Sequence, residues 1–186
     1  MGTVIYDAAA SLDGFIADEH DSLDWLFAVP GGDEAQHELV PTGIAVNVMG
    51  STTYLWVVEH EDMLAHPATW RDAFGETPTF VFTTRQLPAP EGADVRFVSG
   101  PVADVLPAIR DAAGGGSVWV VGGGDLAGQF FDAGARDEIA LSLTPVALGA
   151  GAPVLPRRIG SDRLRLVSAR AFGQFARLVY AVVPPT

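Results

Sequence analysis

The hydrophobic pattern divides most of the chain into alternating strands and helices. Short continuous apolar runs predict strands buried on both faces, and apolar positions at helical spacing predict helices. The pattern predicts strands over 3–10, 43–49, 79–83, 94–99, 117–121 and 138–148, and helices over 31–39, 51–60, 101–113 and 125–133. Segments 163–171 and 174–183 flank a turn at Phe172-Gly173 and predict a β-hairpin. The sequence therefore predicts an α/β fold with a mostly parallel sheet and an antiparallel C-terminal hairpin.

Segment 117–126, with the sequence SVWVVGGGDL, combines a buried strand, three glycines and the start of a helix. Gly122, Gly123 and Gly124 lack a Cβ, so they can adopt positive φ and let the backbone approach a ligand. Asp125 is a good N-cap for the helix that follows. Free amides and the helix dipole at such an N-terminus attract phosphate. Two interpretations stay open: a tight structural turn, or the pyrophosphate site of a dinucleotide.

A Rossmann fingerprint is the first dinucleotide motif to consider. Gly122, Gly124 and Ala127 fit the pattern GxGxxA. That fingerprint normally opens its domain and is followed by an acidic residue at the end of the next strand. Here Asp137 and Glu138 stand at the beginning of the next strand. A Rossmann domain therefore fits poorly.

Two further strand ends carry residue types suited to phosphate. Strand 43–49 ends at Gly50, and the hydroxyl residues 51–53 follow, which can cap the next helix or bind phosphate. Strand 79–83 leads into Thr84 and Arg85. An arginine at this place is either simply exposed or a receptor for a ribose 2′-phosphate. The second strand-to-helix junction strengthens the dinucleotide interpretation.

Four carboxylates are candidates for a site or for purely structural roles. Asp7 lies within a buried strand, so it must be hydrogen-bonded, protonated or part of a site. Asp13 precedes Gly14 and fits a turn-capping residue. Asp33 and Glu34 fall in the first turn of the helix predicted over 31–39, where solvated acids are common.

Composition restricts the classes of function. The chain has 186 residues, 48% of them hydrophobic, which predicts one domain with a sizeable core. It has no cysteine, which excludes disulfides and thiol chemistry, and its histidine spacing fits no metal motif. We expect a cytoplasmic protein, because no signal peptide or membrane-spanning run is evident. The net charge of -12 argues against nucleic acids and acidic membranes as binding partners. The chain has no lysine, which excludes a Walker lysine and a Schiff-base lysine.

Four segments together resemble the dihydrofolate-reductase-like superfamily, and most closely the RibD C-terminal-like family, the reductase half of the bifunctional riboflavin-biosynthesis deaminase-reductase. They are YDAAASLDGFIA, VMGSTTY, FTTR and VVGGGDLAGQFFDAGARDEIALSLTPVALGAG, of which the last is the most specific. The resemblance spans nearly the whole chain and implies a three-layer fold, NADPH as hydride donor, and a homodimer. No zinc motif of the deaminase half is present.

The resemblance also implies which residues contact the cofactor. Pyrophosphate and nicotinamide contacts fall on Val121, Gly122, Gly123, Gly124, Asp125 and Leu126, with Gln129 near the adenosine. Phosphate contacts fall on Gly50, Thr52, Thr53, Thr83, Thr84 and Arg85, and the loop 11–17 covers the nicotinamide, lined by Ala9, Asp13 and Ile16. The chain has Ser51 where the family often has an arginine, so recognition of a 2′-phosphate depends more on Arg85.

The activity that the resemblance implies is reduction of 5-amino-6-(5-phosphoribosylamino)uracil or of a related pterin-like heterocycle. Dihydrofolate reduction and nucleotide binding without catalysis are the alternatives. No cluster of basic residues announces a ribose-phosphate substrate. Reduction needs a proton source, for which Asp7, Asp33 and Glu34 are the candidates, and the sequence does not decide among them. We also expect a dimer interface to cover the apolar strand predicted over 139–148.

Overall fold

The computed structural model describes residues 2–31 and 40–184. Its strands are β1 (Val4–Ala10), β2 (Phe15–Ala17), β3 (Ile44–Gly50), β4 (Thr79–Phe82), β5 (Val95–Val98), β6 (Ser117–Gly122), β7 (Glu138–Leu143), β8 (Ala152–Pro153), β9 (Leu164–Phe172) and β10 (Phe175–Val182). Its helices are α1 (Asp24–Phe27), α2 (Ser51–His60), α3 (Pro67–Phe74), α4 (Val102–Ala113) and α5 (Gly124–Asp132). None of these helices is both long enough and apolar enough to cross a bilayer.

Eight strands form one central sheet in the order β5-β4-β3-β6-β1-β7-β10-β9. Strands β5 to β7 in this order pair in parallel, whereas β10 is antiparallel to both β7 and β9. The parallel strands therefore end at the same edge of the sheet, where the loops to α2 and α5 begin. The mostly parallel sheet and the C-terminal hairpin predicted from the sequence are confirmed.

Helices cover both faces of the sheet, because the strands carry apolar side chains on both sides. On one face, α4 and α5 pack on β1, β3 and β6, and Tyr6, Ile109 and Phe130 lie fully buried there. On the other face, α2 and α3 form a second core around Tyr54 and Trp70. The rings of Tyr54 and Trp70 meet edge-on with centroids 6.0 Å apart. These two cores make the three layers that the resemblance implies.

Strand β7 corrects one sequence-based prediction. It ends at Leu143 rather than at 148, and it lies inside the sheet between β1 and β10. The chain's own C-terminal hairpin covers the edge that we expected a dimer partner to cover. The exposed edges of the sheet are β5 and β9 instead, so the expected reason for a dimer at 139–148 was wrong.

Four short elements lie where the apolar pattern is too brief to predict them. Helix α1 has four residues and α3 has eight. Helix α3 falls in a region whose sequence pattern is irregular. Strands β2 and β8 form a separate two-stranded antiparallel sheet. Most of the helix predicted over 31–39 lies outside the described residues.

Candidate functional site

A cavity of about 750 Å³ lies at the edge where the parallel strands end. Almost all the residues that the resemblance assigns to the cofactor line it: Ala9, Ile16, Gly50, Thr52, Thr53, Thr83, Thr84, Val121, Gly122, Gly123, Gly124, Asp125, Leu126 and Gln129. Asp7, a candidate proton donor, lines it as well. Asp13 and Arg85 lie beside the cavity without lining it, and Asp33 and Glu34 lie outside the described residues.

Two helix N-termini meet at this cavity. Helix α2 begins after Gly50 and α5 begins after Gly123, and neither N-cap position supplies a side-chain hydrogen bond to its helix. The two caps are close in space, since a Cβ on Gly50 would lie 3.5 Å from the Gly123 nitrogen. The first amides of a helix have no intrahelical partner, and the helix dipole adds a partial positive charge. Two such termini side by side make a site for a pyrophosphate.

The three glycines act through close approach rather than through positive φ. Gly123 has a φ of -84° and a ψ of -179°, which is extended backbone open to any residue. A Cβ on Gly123 would meet only the Ile16 side chain, at 3.9 Å, whereas one on Gly124 would lie 2.1 Å from the Pro153 carbonyl oxygen. Gly123 therefore leaves room for a ligand, and Gly124 lets α5 approach the segment around β8. The peptide bond between Gly122 and Gly123 is cis.

The sequence predicts Asp125 as the N-cap of α5, but the helix begins at Gly124 and its N-cap is Gly123. Its carboxylate accepts hydrogen bonds from Gln129 Nε2 at 2.9 Å and from Arg157 Nη1 at 3.0 Å. These bonds lower the pKa of Asp125. Arg157 also donates from Nε to Asp132 at 2.8 Å, so one guanidinium joins both ends of α5. The network fixes the wall of the cavity next to the glycines.

Asp13 fastens the loop that carries Ile16. One carboxylate oxygen accepts from Ser11 Oγ at 2.6 Å, and the other accepts from the Gly149 amide at 2.7 Å. The Leu148 amide donates to both oxygens at 3.1 Å. The Ser11 hydroxyl and these amides lower the pKa of Asp13 to about 2. Asp13 thus positions the loop over the cavity, beyond the turn-capping role that its sequence indicates.

Asp7 lies on the sheet floor of the cavity, and it is buried. Both of its carboxylate oxygens accept hydrogen bonds from Arg177 of β10, one of them from Nη1 at 2.6 Å. Arg177 Nη1 also donates to Ser142 Oγ at 2.9 Å. Burial raises the pKa of Asp7, and the hydrogen bonds and charge of Arg177 oppose that rise. The pair answers the question left by the sequence: Asp7 is both hydrogen-bonded in the core and part of the cavity.

One wall of the cavity is aromatic. Trp56 of α2 lines the cavity and stacks on His60, with centroids 4.4 Å apart and planes within 15°. Phe27 of α1 lies nearly parallel to both rings, 6.0 Å from Trp56 and 5.2 Å from His60. Trp119 of β6 also lines the cavity, and its Nε1 donates to the Asp7 carbonyl oxygen at 3.1 Å. This end of the cavity suits a flat ring.

Sequence reasoning missed the tryptophans and Arg177. Trp56 follows Thr52 by one helical turn, so helix periodicity places both on one face. Trp119 precedes the predicted contact Val121 by two residues, so strand alternation places both on one face of β6. For Arg177 the chain offered no comparable signal, because its partner Asp7 is 170 residues away.

Comparison with known proteins identifies the family. The family model described as the RibD C-terminal domain matches residues 56–177. The uncharacterized protein YwjB of Bacillus subtilis (strain 168) is 31% identical over 179 residues, covering 96% of each chain. The uncharacterized protein YyaP of the same organism is 26% identical over 182 residues, covering 95% of this chain and 93% of the relative.

Solved structures share the fold over almost the whole chain. A putative riboflavin biosynthesis protein from Shewanella sp. PV-4 has a TM-score of 0.74 at 24% identity, covering 99% of this chain and 100% of that one. A dihydrofolate reductase from Enterococcus faecalis, complexed with NADP(H) and RAB-propyl, has a TM-score of 0.62 at 17% identity, covering 97% of this chain and 96% of that one. RibD from Acinetobacter baumannii has a TM-score of 0.70 at 16% identity, and the match covers 99% of this chain but 59% of RibD. The chain belongs to the RibD C-terminal domain family and has its dihydrofolate-reductase-like fold.

Proposed function

We propose that the protein is an NADPH-dependent reductase of a flat nitrogen heterocycle. The observation that carries the proposal is the meeting of two helix N-termini, after Gly50 and Gly123, at a cavity that also has a buried carboxylate and an aromatic wall. Membership of the RibD C-terminal domain family supports a reductase, and a structural neighbour carries NADP(H) in the same fold.

The residues present fit a dinucleotide. The free amides after Gly50 and Gly123 would bind the pyrophosphate, helped by the hydroxyls of Thr52 and Thr53. A Cβ at Gly123 would point into open space that the ligand needs. Thr83 and Thr84 line the end of the cavity farther along the sheet, together with Ser99 and Gly100, and would hold the adenosine side. NADPH supplies a hydride when it is bound.

At the other end, Asp7 would handle the proton. Reduction of a C=N bond places a hydride on carbon and a proton on nitrogen, so the nitrogen needs a donor within reach. Asp7 lines the cavity, and burial raises its pKa, which favours a carboxyl that can carry a proton. Arg177 holds the carboxyl in place through hydrogen bonds to both of its oxygens. Asp33 and Glu34 stay candidates, since they lie outside the described residues.

A turnover assay tests the proposal. Consumption of NADPH would be followed by absorbance with dihydrofolate, with 5-amino-6-(5-phosphoribosylamino)uracil and with unsubstituted pterins as substrates. We expect turnover with at least one heterocycle, and a loss of kcat of roughly a hundredfold or more in Asp7→Asn, as for a general acid. Tight NADPH binding without consumption of the cofactor by any member of the panel would instead favour a nucleotide-binding protein without catalysis.

A further inference from the structure

We propose that the substrate of this cavity is a flat heterocycle that carries no phosphate and no other anionic group. The inference rests on the proposed function, because it takes the end of the cavity near the helix N-termini as the dinucleotide end. It concerns the part of the cavity lined by Asp7, Trp119 and Trp56.

Among the described residues, the charged side chains that line the cavity are all carboxylates. Asp7, Asp21 and Asp125 line it, and none of the eleven arginines does. All eleven arginines lie within residues 2–31 and 40–184, and the chain has no lysine. A phosphate group on the substrate would therefore meet carboxylates and apolar side chains instead of a guanidinium.

Two arginines are engaged by carboxylates of the cavity lining. Arg177 donates to Asp7 and to Ser142, and Asp7 lines the cavity whereas Arg177 does not. Arg157 donates to Asp125 and Asp132, which use its Nη1 and Nε. Arg85 follows Thr84 at the dinucleotide end, away from the aromatic wall. Recruiting Arg157 or Arg177 for a substrate phosphate would leave carboxylates without their partner.

The electrostatic field opposes a second anionic ligand. The chain has a net charge of -12, and a cleft with charges of one sign focuses its field on whatever enters. The dinucleotide brings its own phosphates, which the helix amides offset. A substrate phosphate would add roughly -1.5 to -2 charges at neutral pH with no helix terminus left to offset them.

The walls favour a neutral or cationic flat ring. Trp56 presents a ring that is fixed by its stack with His60 and Phe27, and Leu23 and Leu26 extend the apolar surface beside it. The Asp7 carboxyl has more acceptor sites than the two that Arg177 uses, so it can accept an N–H from a heterocycle in addition to its proposed role as proton donor. Stacking above and N–H recognition below require no negative charge on the ligand.

A matched pair of ligands tests the proposal by calorimetry. The pair is 5-amino-6-(ribosylamino)uracil and its 5′-phosphate, titrated into the protein with and without saturating NADP⁺. We expect the phosphate-free compound to bind at least about tenfold more tightly. Equal or tighter binding of the phosphate ester would overturn the proposal, and so would failure of both compounds to bind.

A variant that adds a cation checks the cause. Leu23→Arg places a guanidinium at the rim of the substrate end, and it should reduce the preference for the phosphate-free compound about tenfold. Leu64→Arg is the matched control, because Leu64 is exposed and does not line the cavity, and it should leave the preference unchanged. If Leu23→Arg does not fold, Asp21→Asn is the second variant, because it removes a carboxylate from the cavity lining. Asparagine tolerates the φ of 57° at this position. Asp21→Asn should also lower the preference for the phosphate-free compound.

Failure of this inference can be told from failure of the proposed function. A separate titration of NADP⁺ into the protein that shows no binding would remove the reductase, while the ratio of the two uracils can still be measured without dinucleotide. Binding of NADP⁺ together with a preference for the phosphate ester would keep the reductase and remove the inference. An unchanged ratio in both Leu23→Arg and Asp21→Asn would also contradict it, because cavity charge would then not set the preference.

Discussion

Asp7 and Arg177 lie on strands separated by β7, and the guanidinium reaches across Ser142 to hold both oxygens of the carboxylate. The pair links the C-terminal hairpin to the floor of the cavity. The C-terminal hairpin therefore contributes to the site as well as completing the sheet.

Removing Arg177 should leave the buried Asp7 carboxylate without this ion-pair partner. We expect Arg177→Met to lower the free energy of unfolding at pH 8 by about 3–5 kcal/mol, because one partner of a buried pair is lost. Without the guanidinium, the pKa of Asp7 should rise further above its unfolded value. A carboxyl with a raised folded pKa destabilises the protein above that pKa, so the stability of the variant should fall as the pH rises through it.

Urea denaturation at pH 4.5 and pH 8 measures this effect. Arg165→Met is the matched control, since Arg165 is an exposed arginine on β9, and it should change stability by less than about 0.5 kcal/mol. A loss in Arg177→Met that is equally small, or independent of pH, would show that Asp7 does not depend on this partner.

The glycines at the start of α5 should separate binding from folding. Gly123→Val should fold, because its backbone is extended and its Cβ meets only Ile16, yet it should abolish dinucleotide binding by filling the cavity. Gly124→Ala should instead destabilise the fold by about 1–3 kcal/mol, because its Cβ would overlap the Pro153 carbonyl. Gly50→Ala is the control for stability, because its added Cβ would have no contact closer than 3.5 Å.

Thermal melts and dinucleotide titrations of these three variants give the answer. Unchanged NADPH affinity in Gly123→Val would mean that the glycines form a structural turn and nothing more.

Asp13 should titrate at unusually low pH. Its pKa is about 2, below the usual value, so the bonds it accepts stabilise the loop above pH 4 and are lost as the pH falls through about 2. An NMR titration of the side-chain carboxyl measures this directly. Asp13→Ala should loosen residues 11–17 and weaken dinucleotide binding without unfolding the protein. Asp111→Ala, at an exposed helix end, is the control, and equal hydrogen exchange of the loop in both variants would contradict the role.

Arg85 stays the predicted receptor for the 2′-phosphate. Its side chain is exposed, and its amide donates to Thr83 Oγ1 at 3.0 Å, at the adenosine end of the cavity. We expect Arg85→Ala to weaken NADPH by about 1.5–3 kcal/mol and NADH much less, as for a lost charged hydrogen bond. Arg110→Ala is the exposed control. Equal losses for both cofactors in calorimetry would remove Arg85 from the site.

Dimerisation also stays a prediction, with a different interface. Leu166 and Val167 on the edge strand β9 are 53% and 58% exposed, which an unpaired strand edge rarely tolerates in isolation. Light scattering should give twice the 19.5 kDa mass of the chain, and Val167→Lys should shift it toward the monomer. Phe97→Lys on the opposite edge β5 is the control. A monomer mass for the unaltered protein at micromolar concentration would contradict the prediction.

Local sequence patterns predicted most of the elements, and the strand-end residues that they singled out line one cavity. Gly50, Thr52 and Gly122–Gly124 each stand at a strand end, and the ends of parallel strands meet in space whatever the details of packing. Helix starts were less certain, since Asp125 resembles an N-cap and yet Gly123 takes that position.

Long-range relationships could not be predicted from the same patterns. The contact of Asp7 with Arg177 depends on the hairpin adding to the sheet beside β7, and the need for Gly124 depends on where Pro153 passes. Likewise, the local sequence predicts only a turn role for Asp13, because its hydrogen bonds from Leu148 and Gly149 depend on a distant loop. In each case the partner is more than 25 residues away, beyond the reach of helix or strand periodicity.

Titration of the unaltered protein with NADPH tests the dinucleotide site most directly. Trp56 and Trp119 line the cavity, so their emission should be quenched as the reduced nicotinamide binds. At 100 times the Kd, binding should add about 2.7 kcal/mol to the free energy of unfolding. The expected result is saturable quenching with this stabilisation in the unaltered protein and neither in Gly123→Val. No quenching and no stabilisation of the unaltered protein by NADPH or NADH would contradict the assignment of the two helix N-termini to a dinucleotide.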